Sequence, residues 1–292
     1  MINFQRVFRK TVNSVNWIDL VLLILNSGIG LAIIDYLGYE INWVISAYFI
    51  LWILFFYLGS RFIWFNPNMN NKGEDLTFQH LMLSVFQLMA ILFFGLSVIP
   101  LIQILIMSFD NLLLLYLISI LSCWILLRIY LEQKIQILGL SESISAFMIC
   151  FVTPLIALNI NEIQNHEVLL PISFLSFLLV ISFKLFRDIF ELKNGIKKAE
   201  FVSTYIGPYS ILRIISGLVI FGYFACIFQL ILLDRMQLIS PLLFTLPIAI
   251  FLILKIFRIS GDQKEEAITL MPLANALILF VEITWIIGLW IG

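Results

Sequence analysis

Nine apolar stretches, most close to twenty residues long, follow one another with little between them: 17–38, 41–64, 80–99, 112–130, 143–159, 169–186, 208–230, 240–257 and 269–290. A helix rises about 1.5 Å per residue, so roughly 17–25 such residues cross a hydrocarbon layer of about 30 Å. Inside lipid every backbone N–H and C=O must be bonded within the protein, which selects helices here. The rest of the composition agrees. With 62% hydrophobic and 12% charged residues among 292, the chain carries more apolar surface than a water-soluble domain of this length can bury. We read it as all-α, a polytopic membrane protein of about nine transmembrane helices in a single integral domain, 1–292. The run from Leu81 to Met107 exceeds one span, and Pro100 predicts where its helix ends.

Charge placement tests the count. With nine spans, one face receives Arg6, Arg9, Lys10, Arg61, Lys72, Arg128, Lys134, Lys184, Arg187, Lys193, Lys197, Lys198, Arg213, Lys255, Arg258 and Lys264. Of the 17 Lys and Arg residues, only Arg235 falls on the other face, beside Asp35, Glu40, Asp110, Glu162, Glu167 and Asp234. A wrong count would scatter the cations. The positive-inside rule then places the N-terminus in the cytoplasm and the C-terminus outside an inner, cytoplasmic membrane. The first stretch is too long for the hydrophobic part of a signal peptide and is read as an uncleaved helix. Residues 1–16 alternate Phe4, Val7, Phe8, Val12 and Val15 with basic residues, as an interfacial cytoplasmic helix would, or a frayed basic tail.

Several chemistries are excluded early. A net charge of −1 offers nothing to nucleic acid. Cys123, Cys150 and Cys226 sit at unrelated spacings in apolar runs, and His80 and His166 lie far apart, so a disulfide framework or a His/Cys metal centre is not expected. A transporter stays as a third reading, weakened because intramembrane charge and an internal repeat are scarce.

The cytoplasmic connections are the longer and more polar ones, which is where function is usually carried. The densest polar stretch closes the sixth span: Lys184, Arg187, Asp188, Glu191 and Lys193, then Gly195 as a helix stop. On a helix Asp188 and Glu191 share a face, and two such carboxylates can hold Mg²⁺ against substrate phosphates. Lys184 and Arg187 can meet phosphate oxygens. The same spacing also makes two i,i+4 ion pairs, Lys184–Asp188 and Arg187–Glu191, on a solvated helix end. The connection after the second span holds Asn66, Lys72, Glu74 and Asp75, either a turn leading to a helix N-terminus or a second oxygen-rich wall. At the end of the fourth span, Arg128, Tyr130 and Lys134 are either snorkelling markers or further cations for an anion. Within the membrane, Asn26, Ser27, Gly28 and Gly30 favour close helix packing. Glu282 is an intramembrane carboxylate, a functional candidate that a hydroxyl from a neighbouring helix could cap.

This layout resembles the UbiA superfamily of intramembrane prenyltransferases. The block Lys184 to Gly195 is similar to the second aspartate-rich motif of that family, and Tyr130 to Lys134 resembles its Tyr-then-basic turn. The first motif departs: Tyr57-Leu58 is followed by Gly59-Ser60-Arg61 with no aspartate, and the nearest acids are Glu74 and Asp75. The resemblance implies a helical bundle with a cytoplasm-facing cavity. It further implies Mg²⁺ held by Asp188, Glu191, Glu74 and Asp75, and a diphosphate met by Lys184, Arg187, Lys134, Arg128, Lys72 and Arg61. Tyr130, Asn66 and Asn26 are further candidates. The implied reaction moves an isoprenyl chain from its diphosphate to a lipophilic aromatic or hydroxyl acceptor. The alternative is an inactive relative that binds isoprenoid lipid or scaffolds a membrane complex.

Overall fold

Each apolar run satisfies its backbone bonds internally and closes where a residue able to leave the helical conformation arrives. A computed structural model describes residues 17–63, 76–108, 111–134, 140–163, 167–193, 208–258 and 270–292. Apart from short turns, the described residues are helical, without strands. In chain order the helices are α1 (Trp17–Tyr36), α2 (Trp43–Ile63), α3 (Leu76–Met107), α4 (Leu112–Lys134) and α5 (Leu140–Phe147). A π-helical turn, Met148–Val152, joins α5 to α6 (Thr153–Ile160). Then come α7 (Leu169–Lys193), α8 (Pro208–Leu232), α9 (Ile239–Arg258) and α10 (Met271–Ile291).

Among the described residues, eight helical stretches are long and apolar enough to cross a membrane, with α5, the π turn and α6 counted as one. A further apolar helix, Leu112–Arg128, is shorter. Each coincides with a stretch expected from the sequence. Pro100 is a correction, because α3 runs through it to Met107. The soluble-protein rule against interior proline weakens in membrane helices, where neighbouring helices and local adjustments take up the freed carbonyl.

The turns explain why the chain reverses so tightly. After α1, Gly38 adopts φ +78. Tyr39 N–H then donates to Ile34 O at 3.1 Å and Gly38 N–H to Asp35 O at 2.8 Å, the paired closure that satisfies the last carbonyls of a helix. Glu162 (φ 61) closes α6 and Asp234 (φ 55) closes α8 in the same manner, although neither is glycine. Side-chain oxygens open two of the helices that follow turns. Asn42 Oδ1 accepts from Ile45 N–H at 3.3 Å, and Asn111 Oδ1 accepts from Leu114 N–H at 3.0 Å.

The chain falls into two compact units: Met1–Ile24 with Asn42–Ile129, and Leu25–Ile41 with Tyr130–Gly292. In the first, α2 packs along α3 through aromatic rings. Phe56 meets Phe94 edge-on at 5.4 Å, Phe62 meets Phe86 at 5.6 Å, and Gly59 lets the Phe94 ring approach. The outer face of α3 exposes Leu88, Ile91, Ile99 and Ile106. In the second unit α7 packs on α8, and α10 on both α7 and α9. Lipid is as apolar as leucine, so close approach rather than hydrophobic burial favours these contacts, and small residues permit it. A Cβ at Gly30 would lie 2.7 Å from both Pro154 O and Ala157 Cβ, and one at Gly28 would lie 3.1 Å from Ile286 Cδ1. The packing role expected for these glycines is what they perform.

Candidate functional site

In the first unit, three helices bring charge into the interior. Asp19 stands in the first turn of α1, Arg61 in the last turn of α2, and Arg128 at the end of the apolar run of α4. Arg128 Nη2 donates to Asp19 Oδ2, and Arg61 Nη2 lies 3.8 Å from the same oxygen. Asp19 is 1% exposed and Arg128 2%. Arg128 therefore turns inward and does not snorkel. Aromatic groups complete the surroundings. Arg61 Nε donates to Tyr57 Oη at 3.1 Å and its guanidinium lies 5.3 Å from the Tyr57 ring centre, while Arg128 lies 5.4 Å from the Trp124 ring centre. Such faces stabilise a desolvated guanidinium. One carboxylate with two guanidinium groups leaves a net charge of +1.

Asp19 is the member that sequence reasoning passed over. An acid in the first turn of a helix reads as a partner for the helix dipole. Its true partners lie far along the chain, the bonded pair being separated by 109 residues. An acid two residues into an apolar run was the only available signal.

In the second unit, Lys184 is 6% exposed, and its Nζ donates to Ser145 Oγ at 2.8 Å. Arg187, one turn on, is half-buried. The helix continues without a break through positions 188 and 191 to Lys193. Asp188 and Glu191 thus share one face just beyond a membrane-length apolar segment. Asn26, also buried, bears on the carboxyl of Glu282.

The structure brings Arg61 and Arg128 together, through Asp19, and places Lys184 in the second unit with Ser145. Asn66, Lys72, Glu74 and Asp75 lie outside the described residues. For Tyr130, Lys134, Asp188 and Glu191 only the helical backbone is described. Among the described residues no group of three or more His, Cys, Asp or Glu side chains could hold a metal ion, and the four acids expected to bind Mg²⁺ are not among the described side chains.

No family model, no curated protein and no solved structure matches this chain.

Proposed function

We propose that this chain is an intramembrane prenyltransferase of the UbiA kind, with a cytoplasmic N-terminus and an external C-terminus. The observation that carries the reading is the unbroken end of α7, whose helix runs from apolar Leu169 to Lys193 and sets Lys184, Asp188 and Glu191 on successive turns. Two acids three residues apart at the end of a span suit two oxygen donors to one hard cation. Mg²⁺ held there would offset the charge of an isoprenyl diphosphate. Arg187 would then bind the leaving diphosphate. The C–O bond between the isoprenyl chain and diphosphate breaks, the acceptor oxygen or ring carbon forms the new bond, and the acceptor proton passes to solvent.

The test uses the full chain in nanodiscs with Mg²⁺, isoprenyl diphosphates of several lengths and a membrane lipid extract as acceptor. Diphosphate release is expected from the wild type and not from the Asp188→Asn, Glu191→Gln double variant. Equal turnover by both would remove the site assignment. A phosphatase fused after Gly292 should be active, as an external terminus requires.

A second reading has its own support. Asp19 already engages Arg128 and Arg61, and Ser145 already receives Lys184, so three cations expected to meet phosphate have structural work. On that reading the protein binds isoprenoid lipid, or scaffolds a membrane complex, without turnover. Saturable binding with no diphosphate release would favour it.

A further inference from the structure

Glu282 lies near the middle of α10, roughly 14 Å of helix from its nearer end. It belongs to the inward stripe of that helix, with Ile278, Val281 and Trp285, and is 0% exposed. Its surroundings contain polar side chains and no described countercharge. The Ser176 hydroxyl of α7 and the Asn26 side chain of α1 bear on the carboxyl. They stand beside it without closing an aligned hydrogen bond on either oxygen. Several serines among the described residues spend their hydroxyl on their own helix. Ser119, Ser122, Ser182 and Ser216 each donate to the carbonyl four residues back. Ser173 and Ser176, one turn apart and buried, do not. Gly28 brings α1 against Ile286, one turn beyond Glu282, which sets Asn26 at this depth.

The charged and titratable groups around it are few. The π turn contributes the Cys150 thiol, which is in electrostatic range of both Glu282 and Lys184. The inward face of α9 contributes Leu242, Thr245, Ala249 and Leu252 and no charge. An ionised carboxylate at this depth, with neutral neighbours and no cation beside it among the described residues, carries a desolvation cost far above that of the neutral acid. We propose that Glu282, flanked by Asn26 and Ser176, is a proton-binding site in the membrane interior. The acid form supplies an O–H that its neighbours can accept. The ionised form needs the Ser176 hydroxyl to donate, and that hydroxyl is not spent on a carbonyl of its own helix. Cys150 and the Lys184–Ser145 pair continue the polar groups toward the end of α7. This site does not depend on the prenyl-transfer reading.

The test is made on the full chain in lipid nanodiscs, without any isoprenoid. Infrared difference spectra of wild type and Glu282→Gln across a pH series should show a carboxylic-acid C=O band that only the wild type possesses. In Asn26→Leu that band should persist and move to higher frequency, because one polar neighbour is gone. Dicyclohexylcarbodiimide, which enters lipid and attacks the acid form, should leave an adduct on the peptide containing Glu282 and lose yield as pH rises. That readout needs no variant to fold. Absence of both band and adduct across the pH series would overturn the proposal. So would protection of Glu282 by Na⁺ at constant pH, which would mark a metal-cation site instead.

Discussion

The two units solve the burial of a carboxylate in opposite ways. Asp19, in the first, is held by charge: two arginines reach it from α2 and α4. Glu282, in the second, is held by packing: glycines let α1 approach, and the groups beside the acid are neutral. The difference follows depth. Asp19 and Arg61 sit in terminal turns and Arg128 at the end of the apolar run of α4, where long side chains can converge. Glu282 sits mid-helix, where a countercharge would need its own desolvation. A charge cluster fixes three helices to one another, whereas a neutral cluster leaves its acid able to change state.

The largest effect is expected where that comparison is broken at its charged end. In Asp19→Ala two arginines lose their carboxylate in a buried setting, a loss of about 3–5 kcal/mol. Unfolding in mixed micelles should show it. Replacing Asp19 and Arg128 together by leucine and methionine should recover most of the loss, because the pair is removed with its desolvation cost. A single variant as stable as the wild type would mean that Asp19 contributes nothing to the first unit.

The second unit should fail by crowding instead. In Gly30→Ala the new Cβ meets Pro154 O and Ala157 Cβ at 2.7 Å, both on rigid helix, so a loss of about 1–3 kcal/mol is expected. Gly95 and Gly217 serve as controls, since a Cβ at either meets nothing within 4 Å. Alanine there should be neutral or stabilise by about 0.5–1 kcal/mol through helix preference. If all three substitutions behave alike, close approach of α1 is not what builds the Glu282 surroundings.

How much of this was legible depends on the range of the interaction. The spans were readable because twenty apolar residues in succession have one solution in lipid. Pro100 was misread because the helix-breaking rule comes from proteins whose freed carbonyls face water. Arg61, Arg128 and Lys184 were named as candidate phosphate contacts, while the partners they have in the fold were not named. Asp19 and Ser145 are joined to them by tertiary packing, which their local sequence does not reveal. Glu282 stood out because a carboxylate amid apolar residues is conspicuous. Ser176 did not, because a serine in a membrane helix ordinarily bonds its own backbone.

The smallest expected effect sets the scale for the others. Tyr223 on α8 and Thr245 on α9 share a buried hydrogen bond of 2.7 Å between hydroxyls, an uncharged bridge within the second unit. Thr245 Oγ1 also donates to Leu242 O at 2.8 Å, so the phenol is the donor to it. In Tyr223→Phe the threonine therefore keeps a partner, and no buried donor is stranded. Interhelical hydrogen bonds in membranes average about 0.6 kcal/mol and reach about 1.7, because the separated helices also find partners. The expected loss is near the lower figure, read from unfolding of the variant beside Thr245→Val and the double variant. A coupling energy close to that of Asp19 with Arg128 would mean that charge is not what distinguishes the two units. A coupling near zero would leave Gly30 and its fellow glycines as the main determinants of packing in the second.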